Sequence, residues 1–206
     1  MRHPVFARLY AALSPLAERR GMARERGMAV EGLRGRVLEV GAGGGLMFRH
    51  YPPAVTQVVA TEPEPYLRAR AVRAAQDAPV PVTVTDATGE HLPFADGAFD
   101  AVVCVLVLCS VADPPAVLGE MGRVLAPGGE LRFLEHVAPA WGRARRAAQM
   151  LDRSGIWPHM AGGCHLCRDT GAAIRDAGFI IERMEQGRPR GEPLPVPFIR
   201  GVARHA

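Results

Sequence analysis

The residues from Val37 to Gly45, Val-Leu-Glu-Val-Gly-Ala-Gly-Gly-Gly, constrain this chain most. An apolar, β-branched run ends in an acidic residue and a burst of glycines. That reads as a buried strand and a tight turn, with a helical segment expected from about Leu46. It is the layout by which α/β folds bind nucleotides. Glycine carries no Cβ, so such a turn can be sharp and can approach a ligand closely. The spacing argues against a dinucleotide fingerprint, which needs G-x-G-x-x-G. Gly41 and Gly43 fit it, but its sixth position is Leu46. The pattern present is E-x-G-x-G-x-G, from Glu39 to Gly45.

Strand-like and helix-like segments alternate along the rest of the chain. Residues 3–34 read as helical, with breaks near Ser14-Pro15 and near Gly27. Strands are predicted at 36–40, 55–61, 80–85, 99–106, 130–136, 179–185 and 198–203. Helices are predicted at 64–77, 114–125 and 141–153, and over a segment that Asp169-Thr170 caps and Gly178 ends. Tyr51-Pro52-Pro53 should stop the helix after the glycine loop, and Pro127-Gly128-Gly129 should form a turn. Alternating strands and helices imply βαβ units on a parallel sheet. The expected fold is α/β: a doubly wound, seven-stranded, Rossmann-like sheet with its last strand antiparallel. One domain is expected over residues 1–206.

Composition narrows the function classes. Hydrophobic residues make up 48% of the chain, which is globular usage, and no apolar run approaches a membrane span. No integral membrane association is expected. The start shows no secretory signal, so the cytoplasm is the expected compartment. The formal net charge is +4, and all 25 basic residues are Arg. They are scattered among acids. The small clusters, Arg19-Arg20 to Arg26 and Arg143 to Arg146, read as solvated helix faces, so no nucleic-acid partner is expected. Four Cys without a signal peptide do not make a disulfide framework. Oligomeric state leaves no signal in the sequence.

Further residues carry chemistry. Glu62 follows the second strand, 21 residues after Gly41, placed to accept the ribose hydroxyls of an adenosine; Glu64 is its competitor. Asp86-Ala87 follows the third strand. Beyond it, D-A-x-x-x-x-L-P-F runs to Phe94 and D-x-x-F-D to Asp100. In that order these motifs resemble the class I S-adenosylmethionine (SAM) methyltransferases that modify small molecules. The resemblance narrows with Leu108-Cys109-Ser110-Val111, Arg123 to Gly129, Glu135-His136-Val137-Ala138, Trp157, Gly163-Cys164 and Pro193 to Pro197. These resemble the thiol S-methyltransferases of the animal methyltransferase-like seven group, from about Val37 to the C-terminus. Two departures stand out. Those enzymes carry an N-terminal membrane-embedded segment where this chain has an amphipathic, Arg-rich start. They also place Cys and Thr where this chain has His165 and Cys167.

The resemblance implies SAM as cofactor and S-adenosylhomocysteine (SAH) as product. The implied cofactor residues are Glu39, Gly41, Ala42, Gly43 and Gly45, then Glu62 and Pro63, Asp86 and Ala87, and Cys104 and Leu106. Residues 1–34 would cover the active site, and 137–168 would be an acceptor-side insertion. The expected acceptor pocket takes Tyr10, Leu108, Cys109 and His136, with Trp157, His165 and Arg168. His136 ends the fifth strand, beyond whose carboxyl end ligands lie. It is the catalytic candidate, to deprotonate or orient the acceptor, or else a structural His. Cys164-His165-Leu166-Cys167 invites zinc or dithiol readings, but a closed zinc site needs four ligands and no second C-x-x-C exists. It reads instead as a loop lining the acceptor pocket, with no metal expected. The favoured acceptor is a small thiol. Alternatives are C- or O-methylation of a quinone, phenol or natural-product intermediate, and a non-catalytic SAM-binding protein.

Overall fold

A computed structural model describes residues 4–139, 142–187 and 196–205. Seven strands form one sheet: β1 Gly35–Val40, β2 Val55–Thr61, β3 Val82–Thr85, β4 Phe99–Val105, β5 Leu125–His136, β6 Phe179–Gly187 and β7 Phe198–His205. Their order is β3-β2-β1-β4-β5-β7-β6. The first five are parallel, and β7 runs antiparallel to both β5 and β6. The expected architecture, with its reversed last strand, is the observed one.

Register explains where a ligand can sit. Val40 of β1 pairs with Thr61 of β2 and Cys104 of β4, and Thr61 pairs with Thr85 of β3. The carboxyl ends of the parallel strands therefore finish along one edge, the place where open α/β sheets bind ligands. Side chains alternate across the sheet. Leu38, Val40, Val102, Cys104, Leu131 and Phe133 form one buried face beneath α4 (Pro114–Val124) and Ile174 of α7 (Thr170–Asp176). Val37, Val58, Ala60, Val103 and Leu134 form the other, under α2 (Ala23–Val30), the 47–51 segment and Ala71 of α3 (Pro65–Ala74). Asp113, Glu64 and Asp169 cap α4, α3 and α7 through side-chain oxygens, as short acceptors before a first turn do.

Several local expectations fail for physical reasons. No α-helix follows the glycine loop; residues 43–47 form turns and Phe48–His50 a single 3-10 turn. Only residues 46–51 separate Gly45 from Pro52, too few to repay helix nucleation. The N-terminal helix α1 (Pro4–Ala17) runs straight through Pro15, and α2 runs through Gly27. The break lies between them, in the π-helical segment Glu18–Met22, where Gly21 takes φ 129°. The Pro127-Gly128-Gly129 turn is a bulge inside β5: Phe99 pairs with Leu125 and Ala101 with Glu130, so residues 126–129 loop out. The segment after β5 forms α5 (Gly142–Arg153) and α6 (Ile156–Met160). Trp141 and most of the Pro193 to Pro197 tail lie outside the described residues.

α1 buries its small side chains, not its large apolar ones. Ala7 and Ala11 are buried against Leu67 of α3, while Leu9, Leu13 and Leu16 stay exposed. Small residues let the helix approach α3 closely, and Leu9 and Leu13 are left to line an apolar chamber. Behind α1 lies a buried ion pair, Arg26 Nε to Glu18 Oε1 at 2.9 Å. Burial opposes the Glu18 charge, yet the nearby His50 ring and hydrogen bonds from Arg26 and Arg49 hold its pKa at about 2. Arg26 is thus a core residue, not part of a solvated face; Arg143 to Arg146 are exposed as expected.

Candidate functional site

Two cavities open at the carboxyl edge of the sheet. The larger, about 540 Å³, runs over the ends of β1, β2 and β4. Gly41, Gly43, Glu62, Pro63, Ala87 and Leu106 are among its walls. Gly41 takes φ 69°, and a Cβ there would fall 2.5 Å from Val107 Cγ2. The loop can therefore lie against the 107–109 segment only as glycine. Glu62 is buried and aimed at the same loop: Oε2 accepts from Gly43 N at 2.8 Å and Oε1 from Glu64 N at 2.9 Å. Each oxygen keeps a lone pair for a further donor. Burial raises the Glu62 pKa and the two amides oppose that rise. Glu64, its competitor, spends its carboxylate on Leu67 N as a helix cap.

Most of the other expected cofactor residues lie behind the cleft. Glu39 is fully enclosed, accepts from the Tyr51 hydroxyl at 2.7 Å, and is pushed up by burial to about 7. Ala42 is buried, and its amide donates to Thr61 O. Gly45 abuts Phe48 and Ala74. Cys104 is buried and donates to Glu135 Oε1 at 3.2 Å. Asp86 is exposed and pairs with Arg68 at 2.9 Å; only its neighbour Ala87 reaches the cleft wall.

The second cavity, about 370 Å³, is mostly apolar. Leu9, Leu13, Trp157 and Met160 supply apolar wall, and Cys109, His136 and Cys164 supply its polar floor. Phe6, Tyr10, Leu106 and Ser110 line both cavities, so the two adjoin across this shared wall. Phe6 and Tyr10 stack with ring centroids 5.8 Å apart. Leu106 adopts φ 59°, rare for a branched residue, where the chain leaves β4 between the cavities. Of the expected acceptor residues, Tyr10, Cys109, His136 and Trp157 meet in this chamber. His165 and Arg168 line the larger cleft instead, and Leu108 is buried beneath both. Arg168 donates to the carbonyls of Leu108 at 2.6 Å and Val111 at 2.8 Å.

Glu135 organises the floor, and the sequence reading missed it. Its carboxylate is fully buried and accepts from the amides of Val107, Leu108 and Cys109 as well as from Cys104 Sγ. An acid at the end of an apolar strand, as at Glu39, was the available signal. The Cys164-to-Cys167 loop also differs from its C-x-x-C reading. Asp152 accepts from Leu166 N at 2.8 Å and Cys167 N at 2.7 Å. Cys164 turns away from Cys167 toward Cys109 and His136. Contact with Cys109 lowers the Cys164 thiol, and the same contact, with burial, raises Cys109.

Comparison with known proteins places this geometry. The family model described as "Methyltransferase domain" matches residues 38–133. The human thiol S-methyltransferase TMT1B is 37% identical over 220 residues, spanning 96% of this chain and 85% of that protein. A demethylmenaquinone methyltransferase of Thermus thermophilus is 37% identical over 142 residues, spanning 68% of this chain and 64% of that protein. Among solved structures, the [4+2]-cyclase SpnF superposes with a TM-score of 0.73 at 20% identity, covering 97% of this chain and 94% of SpnF. That likeness speaks for the fold alone. The chain belongs to the class I SAM-dependent methyltransferases, in the group that includes the thiol S-methyltransferases. It is a methyltransferase that takes its methyl group from SAM and releases SAH.

Proposed function

We propose that this enzyme methylates the sulfur of small apolar thiols in the chamber beneath α1. The carrying observation is the shared wall of Phe6, Tyr10, Leu106 and Ser110, which joins a cleft with an adenosine-suited acid to a mostly apolar chamber floored by Cys109, His136 and Cys164. The similarity to TMT1B supports a thiol acceptor in particular.

The residues fit SAM. Glu62 would receive the ribose hydroxyls on its remaining lone pairs. Gly41 and Gly43 would face the methionine part, with no side chain in the way. Pro63, Ala87 and Leu106 would supply apolar contact, and Glu39, Ala42, Gly45 and Cys104 would hold the loop from behind. Asp86 reaches the adenine only by leaving Arg68, so Ala87 carries that end of the pocket. Bound SAM supplies an electrophilic methyl on a sulfonium.

The chain's own task is to place a nucleophilic sulfur in line with that methyl and to keep water out. Orientation of this kind is worth several kcal/mol of barrier. Tyr10 and Trp157 would grip the apolar part of the acceptor. His136 would handle the acceptor proton or hold the thiolate, being the polar side chain of the floor best suited to either role at neutral pH. Among the described residues no helix is long and apolar enough to cross a membrane. A cytoplasmic setting completes the proposal, supported by four cysteines that are all free, as reducing compartments keep them.

The test is SAH production across a panel of alkyl thiols, phenols and quinols. Thiols should be the productive class. SAH formed with phenols or quinols and not with thiols would move the enzyme to the alternative class that the Thermus relative represents.

A further inference from the structure

Three chain segments far apart in sequence bring two thiols and an imidazole to one point. The ligand atoms of Cys109, His136 and Cys164 all lie within 4.8 Å of one another. Cys164 Sγ is 3.8 Å from His136 Nδ1. A tetrahedral zinc ion, with bonds of about 2.3 Å to sulfur and about 2.0 Å to nitrogen, sets its ligand atoms about 3.5–3.8 Å apart. The Cys164–His136 pair is already near that spacing, and the other two pairs lie within 4.8 Å, so only a small contraction would close the set on an ion.

Contacts between the segments hold the three arms together. Glu135 accepts the Cys109 amide at 3.1 Å and is bonded in sequence to His136, so one residue ties two of the arms together. His165 N donates to Cys109 O at 2.7 Å, which fastens the Cys164 arm to the Cys109 arm. The approach is so close that a Cβ on Gly163 would lie 2.5 Å from Ser110 O. The indole N–H of Trp157 is buried beside Cys164 and has no hydrogen-bond partner. A thiolate at Cys164 would accept from it; a thiol does so only weakly.

We propose that Cys109, His136 and Cys164 form a zinc site whose fourth position opens into the apolar chamber and binds the acceptor as its thiolate. Two thiolates and a neutral imidazole neutralise a divalent ion, and this soft donor set selects zinc over magnesium or calcium. Three protein ligands with one open position are the pattern of catalytic zinc. The ligand set stands by itself; the role of the fourth position rests on the thiol reading above. The acceptor S–H gives its proton to water on coordination. Its sulfur lone pair then forms the new S–C bond, the sulfonium C–S bond breaks, and that electron pair stays on the sulfur of SAH. His136 holds the thiolate through the ion. Cys167, outside the cluster, takes no part.

The test loads full-length, reduced protein with Co²⁺ and reads its absorption spectrum. One equivalent should bind, with intense sulfur-to-cobalt charge-transfer bands and tetrahedral d–d bands. Cys109→Ser and Cys164→Ser should each lose most of the charge-transfer intensity, His136→Gln should lose the tetrahedral bands, and Cys167→Ser should keep both. SAM binding by calorimetry, unchanged in these variants, shows that the fold survives. Adding an alkyl thiol should shift the charge-transfer bands. No sulfur-to-cobalt band in the wild-type protein, or bands lost in Cys167→Ser and kept in Cys109→Ser, overturns the site. Bands that depend on the three residues but ignore every thiol retain the site and overturn its role in acceptor binding.

Discussion

Glu135 Oε2 accepts the backbone amide of Cys109 at 3.1 Å, joining the end of β5 to the loop that leaves β4. Through that bond and its neighbours, one buried carboxylate sets both the floor of the chamber and the path of the 107–109 segment beside Gly41. Replacing it strands the buried amides of Leu108 and Cys109 and the half-buried amide of Val107. Glu135→Ala is expected to lower stability by about 3 kcal/mol or more, since each buried donor left unpaired costs roughly 1–3 kcal/mol. A urea midpoint that falls with an unchanged slope would show this. A midpoint within error of wild type would mean that the loop finds other partners.

Glu39 gives the protein a pH dependence of definite sign. Burial raises its folded pKa from 4.5 to about 7. Between those values the folded state keeps a proton that the unfolded state has released, so stability falls as pH rises through this window. The full effect is of the order of 3 kcal/mol. Glu39→Gln keeps an acceptor for the Tyr51 hydroxyl and cannot ionise. It should therefore flatten this loss, and should compare better with wild type at pH 8 than at pH 5. Parallel stability profiles for the two proteins would contradict a buried, proton-holding Glu39.

The N-terminal segment divides at Gly21. Removing residues 1–17 takes away Phe6 and Tyr10 but leaves Glu18, Arg26, Met22 and Val30, which are buried in the body of the protein. Cooperative unfolding should survive, while KM for the acceptor rises and turnover falls. Removing residues 1–30 should abolish folding, because the buried Glu18–Arg26 pair and part of the core go with it. Normal turnover by the shorter truncation would show that α1 does not cover the site.

The sheet was legible because its strands are β-branched and bounded by Gly and Pro. The glycine loop, Glu62 and the reversed last strand were legible too. What stayed hidden depended on contacts between distant segments. Nothing local distinguishes Glu135 from another strand-end acid until the 107–109 amides close on it. Cys109, His136 and Cys164 lie on separate loops and share no periodicity, so the Cys164–Cys167 spacing drew attention that belonged to Cys109. The kink at Gly21 was obscured by Pro15, a stronger breaker on paper.

Glu62 lines the larger cleft with two oxygens that already hold the Gly43 and Glu64 amides. Glu62→Ala should weaken SAM binding by about 1–3 kcal/mol, roughly 5- to 150-fold in Kd, through lost charge-assisted hydrogen bonds. Calorimetry with SAM and SAH reads this directly. An unchanged Kd would place the ribose elsewhere.

The most direct measurement follows an isotopically labelled methyl group from SAM. The purified enzyme is given a small alkyl thiol, and the products are identified by mass spectrometry. The expected result is a labelled methyl thioether formed in equal amount to SAH, and formed more slowly when residues 1–17 are removed. SAH without thioether, or a labelled methyl found only on oxygen or carbon of a phenol or quinol, would contradict the assignment of a thiol acceptor.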